Sequence, residues 1–296
     1  MAKYRVEDIR NIALVGHGAA GKTSLADSLL FKGKAVDRRG SVDDGSSLSD
    51  YDDEEKKRRF SIDTTILHLE HQGKQVHILD APGYPDFVGG ALEALQAVET
   101  AVIVISAPNG IEVNTRRMFS EAGRRGLARM LVVNKMDADN IHFDALVNSL
   151  QETFGKGCVL FNAPIGQGAS FSGVVSVLNP PDKPPDGCLV DLAQARSKLV
   201  DAIVECDDAL MEKYLTEGTV NAQELSAVIP KALAAGTVIP IFCTSAKKDL
   251  GVAELLDAFC QYALPPTLAK PLTITKGTGD QAKETPIEAN ESGEFV

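Results

Sequence analysis

An α/β architecture, a mostly parallel six-stranded sheet with helices on both faces, is predicted by three features of the sequence. Short continuous apolar runs at 11–15, 101–105, 130–133 and 238–243 alternate with helical patterns. Strands apolar at consecutive positions are buried on both faces, as in parallel sheets. Glycine-rich or polar motifs follow three of these runs directly, where such sheets carry their functional loops. The clearest is Gly16-His17-Gly18-Ala19-Ala20-Gly21-Lys22-Thr23. It fits G-x-x-x-x-G-K-[ST], and it lies between a predicted strand and a predicted helix.

Taken in order, the strand at 11–15 leads through that loop into a helix at 23–30. Residues 32–63 are small, polar and charged, with Asp52-Asp53-Glu54-Glu55 followed by Lys56-Lys57-Arg58-Arg59. A solvated loop with a fragment of helix is expected, with about 38–63 mobile in the GDP-bound or empty state because little burial offsets its ordering entropy. Two strands, 64–70 and 74–79, flank a turn at His71-Gln72-Gly73. Asp80-Ala81-Pro82-Gly83 follows, then a helix at 89–98, the strand at 101–105, a helix at 114–125 and the strand at 130–133. That strand ends on Asn134-Lys135-Met136-Asp137, and a helix at 143–154 comes next.

The alternation pauses at 164–236, too long a stretch for an ordinary connection. A strand or hairpin is expected at 171–178, an exposed turn at the Pro-rich 180–187, one helix over 192–216 and a second over 222–234, interrupted near Pro230. A strand at 238–243, Thr244-Ser245-Ala246-Lys247 and a helix at 251–263 close the pattern. The expected division is a core of 1–163 and 237–266, an inserted subdomain of 164–236, and a linker of 267–296.

Bulk properties narrow the function. The chain has 296 residues, 44% of them hydrophobic, enough for one elaborated domain or a domain with an appendage. Its net charge of -11 argues against holding nucleic acid by bulk electrostatics, so no direct sequence-specific nucleic-acid binding is expected. Five cysteines without C-x-x-C spacing fit reduced thiols. No apolar run reaches membrane-spanning length. A soluble, cytoplasmic monomer is the expectation.

The glycine-rich loop is built for anions. Its amides surround phosphate oxygens, and the helix N-terminus adds partial positive charge. Gly16 to Ser24 (Gly16, His17, Gly18, Ala19, Ala20, Gly21, Lys22, Thr23 and Ser24) are the expected phosphate-side contacts. Lys22 is expected to reach the β- and γ-phosphates and Thr23 to offer a hydroxyl to magnesium. The base follows from Asp137, whose carboxylate can accept from guanine N1 and N2, which adenine cannot satisfy. Asn134 can buttress the loop, the Lys135 stem can lie along the ring, and the Ala246 amide, flanked by Ser245 and Lys247, can donate to guanine O6. Asp80 can hold magnesium through water, and the Gly83 amide can meet a γ-phosphate. The predicted cofactors are GTP or GDP and magnesium. His68, His71 and His77 fit strand-surface positions better than a metal site.

With these motifs in this order, the chain resembles the GTP-binding domain of translation elongation factor G and its divergent paralogues. The likeness runs from Ile9 to Pro266. It includes Asp207-Asp208-Ala209-Leu210-Met211-Glu212-Lys213-Tyr214-Leu215 in the insertion and Gly251-Val252 with Leu255-Leu256-Asp257-Ala258 near the end. The resemblance implies a GTPase stimulated by the ribosome, with Lys22, Gly83 and Tyr84 at the reacting phosphate. It implies a magnesium-ligating hydroxyl from Ser61, in Arg59-Phe60-Ser61-Ile62, with Thr64 and Thr65 as neighbours. The tail resembles the lead into a second domain, so a piece of a longer factor is expected. Besides Arg59-Phe60-Ser61-Ile62, which stands where the family carries R-G-I-T-I, two residues depart from the pattern. Tyr84 stands where the family usually carries a water-orienting His, and Ala19 where it has Asp or Asn. The alternative these departures support is a guanine-nucleotide-dependent binding switch on the ribosome that hydrolyses slowly or not at all.

Overall fold

The protein's computed structural model describes residues 4–269, 272–277, 279 and 282–287. The chain begins with β1 (Ile9–Gly16), the phosphate-loop motif, and α1 (Lys22–Lys32). A short α2 (Asp53–Arg58) precedes the hairpin of β2 (Thr65–His71) and β3 (Lys74–Asp80). Then follow α3 (Val88–Ala94), β4 (Thr100–Ser106), α4 (Val113–Arg125), β5 (Ala128–Asn134), α5 (Phe143–Phe154) and β6 (Cys158–Leu160). The central sheet is completed much later by β9 (Ile239–Cys243), which leads into α9 (Val252–Tyr262).

The strand order is β2-β3-β1-β4-β5-β9-β6, with β2 antiparallel to β3 and the other pairs parallel. The sheet therefore has seven strands, not the six expected. The extra member, Cys158–Leu160, has three residues and pairs with β9 from Cys158↔Ile239 to Leu160↔Ile241. A run that short has no periodicity to read; its partner across the sheet defines it.

Both faces are covered, as the continuous apolar strands require. Successive β1 side chains go to opposite sides. Ile12 and Leu14 join the layer containing α1 and α9 residues Leu25, Leu29 and Leu256. Ala13 and Val15 join the layer of Leu95, Met118 and Leu150, from the α3, α4 and α5 side. Because β1 lies between β3 and β4, the loop leaving its carboxyl end opens between the strand ends carrying Asp80 and Val104. That is the crevice where such sheets bind ligands.

Residues 164–236 add no strand to this sheet. A separate antiparallel pair, β7 (Asn162–Ile165) and β8 (Gly173–Ser176), precedes α6 (Leu192–Val204), α7 (Asp208–Glu217) and α8 (Ala222–Ala235). The single helix expected over 192–216 is two. Asp207 takes an extended conformation and caps the second, its side chain accepting from the Leu210 amide. The break expected at Pro230 is absent: α8 runs through it. Leu225, Ile229, Ala232 and Leu233 are buried on both sides of the proline, so packing outweighs the missing N–H.

The tail also departs from the linker expectation. Its described part pairs β10 (Leu272–Lys276) with β11 (Lys283–Ile287) as an antiparallel hairpin. Thr273, Ile274 and Thr275 are β-branched, which favours a strand despite the polar composition. Residues 288–296 of the predicted linker lie outside the described residues. No helix among the described residues is long and apolar enough to cross a membrane.

Candidate nucleotide-binding site

A cavity of about 560 Å³ opens at the carboxyl ends of β1, β3, β5 and β9. The glycine-rich loop, the Asn134–Asp137 turn, the loop after β9 and the segment between α1 and β2 all line it. Of the expected contacts, Gly18, Ala19, Gly21, Lys22, Thr23, Ser24, Asn134, Lys135, Asp137, Ala246 and Lys247 face it, as do Ser61, Gly83 and Tyr84. Gly16, His17, Ala20, Asp80 and Ser245 are not among its walls.

The phosphate side is shaped by backbone. Gly21 has φ +90, and a Cβ there would stand 2.5 Å from Asn134 Nδ2, so both its conformation and its neighbour demand glycine. Ala19, at φ 59, holds the left-handed conformation without that freedom. Lys22 is buried and donates to His17 O at 2.9 Å. Burial pulls its pKa down to about 8, opposed by Asp80, Asp50 and Glu112. Gly83 lies directly against this ammonium: a Cβ at Gly83 would collide with Nζ and sit 2.7 Å from His17 O. The Gly83 carbonyl is fixed by Asn114, whose Nδ2 donates to it at 2.7 Å.

Oxygen groups gather beside Thr23. Its Oγ1 lies 3.0 Å from Ser61 Oγ, and Ser61 donates to Asp50 Oδ1 at 2.7 Å. Of the three hydroxyls weighed from sequence, Ser61 is the one at this position. Thr65 donates to Ser49 O at 2.8 Å on β2, and Thr64 Oγ1 is buried near Gly90. Ser49 Oγ donates to Asp80 Oδ2 at 2.6 Å. Asp80 is fully buried, and burial raises its pKa to about 6 despite the Ser49 bond and Lys22. Asp80 Oδ1 and Asp50 Oδ2 are buried with no hydrogen-bond partner. Unsatisfied carboxylate oxygens beside two hydroxyls suit a hard cation. No group of three or more His, Cys, Asp or Glu is gathered to hold a metal among the described residues. Magnesium, which uses few protein carboxylates and completes its shell with water and phosphate oxygens, fits that set.

The base side is tied together by Asn134. Its Nδ2 donates to Ala20 O at 3.1 Å and Gly21 O at 3.4 Å, and its Oδ1 accepts from Ala246 N at 3.0 Å and Thr244 Oγ1 at 3.3 Å. The Ala246 amide, expected to face guanine O6, is thus given to Asn134. Asp137 Oδ1 accepts from Ser245 Oγ at 2.6 Å. Lys135 has φ 64, a turn conformation that brings its Cε near Gly21.

Tyr84 is 38% exposed at the mouth. Its ring meets Phe60 at a centroid distance of 4.8 Å, and Phe60 meets Phe87 at 6.1 Å. It also lies over Gly18, where a Cβ would stand 3.2 Å from the ring. His17 points elsewhere, its Nε2 3.5 Å from Glu112 Oε1. Sequence reasoning missed Ser49, Asp50, Phe60 and Asn114. The first three lie in the polar segment, where isolated residues carry no periodic signal, and Asn114 looks like any first-turn helix residue. His71 and His77 bond to Asp257 (2.7 Å) and Asn11 (2.8 Å).

Fold and cleft together define a P-loop nucleotide-binding protein. The family described as the elongation factor Tu GTP-binding domain matches residues 7–265, and the chain belongs to it. Two proteins called elongation factor G, from strains of Dehalococcoides mccartyi, are 28% and 29% identical over 98% and 96% of the chain. The chain spans less than half their length, 43% and 42%. A crystal structure of a Thermus thermophilus protein superposes with a TM-score of 0.79 at 34% identity, covering 88% of this chain and 40% of that one. The chain is therefore a member of the elongation factor Tu GTP-binding domain family, similar over that domain to elongation factor G.

Proposed function

We propose that this domain binds GTP or GDP with magnesium and hydrolyses GTP when a ribosome orders the two loops around the γ-phosphate. The supporting observation is convergence. Asp137 and the Ala246–Lys247 turn face the same cavity as Lys22, Thr23 and Gly83. In this reading Gly16 to Ser24 cradle the phosphates, and Asn134, Lys135, Asp137, Ser245, Ala246 and Lys247 form the base site. Thr23, Ser61 and Asp80 would hold magnesium, Asp80 through water, and magnesium would supply charge neutralisation at the phosphates. Lys22 brings positive charge to the β- and γ-phosphates, and the backbone at Gly83 with Tyr84 orients water. Residues 164–236 act as a subdomain inserted into the core of 1–163 and 237–266. The ribosome is the partner of a protein of the relatives' length, acting in the cytoplasm as a monomer.

A second reading, a switch that hydrolyses slowly or not at all, is favoured by Tyr84. A phenol does not supply the protonated, positively charged form that an imidazole does, and this ring is packed on Phe60.

Titration with GTP, GDP and ATP tests the base assignment. GDP and GTP are expected to bind at least about a hundredfold tighter than ATP, because adenine leaves the Asp137 carboxylate without its N1 and N2 donors. Asp137→Asn should weaken GDP by roughly ten- to hundredfold and improve xanthine nucleotides, since the amide donates where the carboxylate accepts. ATP binding within a few-fold of GTP would refute it.

A further inference from the structure

The polar segment after α1 is anchored at its start, and the anchor reaches the base side of the cavity. Arg39 donates from Nη1 to Ala246 O at 3.0 Å and from Nη2 to Lys247 O at 3.2 Å. Ser28 of α1 adds a second donor to Ala246 O at 3.1 Å. The backbone next to Arg39 is packed closely against α1. Asp27, 1% exposed on α1, accepts from Leu48 N at 3.2 Å. Gly40 is pressed between these two elements: a Cβ there would stand 2.7 Å from Asp27 Oδ1 and 2.9 Å from Ser47 Cα. Glycine lets the backbone pass close to α1 and deliver the neighbouring guanidinium to the loop after β9. Arg39, Ala246 and Lys247 all line the cavity.

Peptide planarity gives this contact a consequence. In a trans peptide the C=O and the following N–H point in opposite directions, and no cis bond occurs among the described residues. With Ala246 O held by Arg39 and Ser28, the Lys247 N–H of the same peptide points away from those two donors. The Ala246 N–H is already engaged by Asn134. A carbonyl at the 6 position of a bound purine would then find its donor in the peptide that Arg39 fixes.

We propose that Arg39 is a positioning residue for base recognition, setting the Ala246–Lys247 peptide so that its N–H donates to the 6-carbonyl of guanine. The inference rests on the guanine reading above. It also ties the polar segment to the base, because one side chain joins the start of that segment to the loop carrying the donor. Lysine cannot replace it fully, because a single ammonium does not present arginine's rigid fork to two carbonyls.

Competition titrations of GDP and ADP against fluorescent GDP, on wild type, Arg39→Ala, Arg39→Lys and Arg38→Ala, test it. ADP has an amino group at the 6 position and makes no use of this donor. Arg38, 85% exposed and 4.0 Å from Asp44, removes the same charge without the contact. Arg39→Ala should lose about tenfold in GDP affinity, as expected for losing charge-assisted hydrogen bonds, while ADP changes less than about twofold. Arg39→Lys should fall between, and Arg38→Ala should match wild type. Unchanged GDP affinity in Arg39→Ala, equal losses for GDP and ADP, or an equal effect of Arg38→Ala would each overturn the proposal. If Arg39→Ala does not fold, Arg39→Lys decides: wild-type GDP-to-ADP selectivity in it overturns the proposal. Wild type binding ADP as well as GDP would overturn the guanine reading, and this inference with it.

Discussion

At the scale of residues, the site is defined by small substitutions within a readable pattern. Lys22, Thr23, Asn134 and Asp137 were legible because each sits at a fixed offset from a strand end, and the fold brings them to one cavity. Ser49 and Asp50 were not legible, because their approach to Asp80 and Ser61 depends on the path of a long connection. In the proposed reaction Tyr84 is the position that decides rate. Its ring is occupied with Phe60 and Gly18, and a phenol brings no positive charge to the phosphates. Unaided hydrolysis is expected at roughly 10⁻⁴ to 10⁻² per second. Tyr84→His should raise the ribosome-stimulated rate, read by single-turnover assay in a chain of the relatives' full length, because an imidazole near its pKa can bond the water and carry charge. GDP affinity should stay nearly constant. A stimulated rate that is unchanged or lower in the histidine variant would identify Tyr84 as an adapted catalytic group.

At the scale of elements, strongly patterned strands and helices were legible, and those defined by tertiary partners were not. The helix fragment in the polar segment is α2, and its organiser is Glu55. This side chain is 2% exposed, accepts from Ile62 N at 2.9 Å and Asp63 N at 3.2 Å, and reaches back to Asp52 N at 3.3 Å. Asp52 caps the other direction through Glu54 N at 2.8 Å. One carboxylate therefore bends the chain so that Ser61 returns to Thr23. Removing it takes the acceptor from the half-buried Ile62 amide and from the amides of the exposed Asp52 and Asp63. Glu55→Ala should speed tryptic cleavage within 56–59 by roughly ten- to hundredfold, with a smaller effect on the melting temperature, and Glu55→Gln should be intermediate. Equal cleavage rates in Glu55→Ala and wild type would show that something else holds the segment.

For the molecule as a whole, the parallel α/β plan was legible from apolar runs, whereas the seventh strand and the packing of the insertion were not, since both depend on distant partners. Leu199, Ile203, Leu225, Ile229 and Leu233 from the insertion share one hydrophobic cluster with Leu25, Leu29 and Leu256. Sequence-level division into subdomains does not imply separate stability. A single calorimetric transition is expected, with calorimetric and van't Hoff enthalpies equal; two resolved peaks would contradict it. The sheet's far edge adds a matter of timing. β6 pairs with β9, and β5 reaches its second neighbour through the same strand. At about 5–20 residues per second, the roughly 80 residues from one to the other take about 4 to 16 seconds to synthesise. Until then the hydrogen-bonding groups along one side of β5 have no strand to meet. A newborn chain passes through an interval with an open, apolar sheet edge, and lengthening the insertion would prolong that interval even if the finished protein were equally stable.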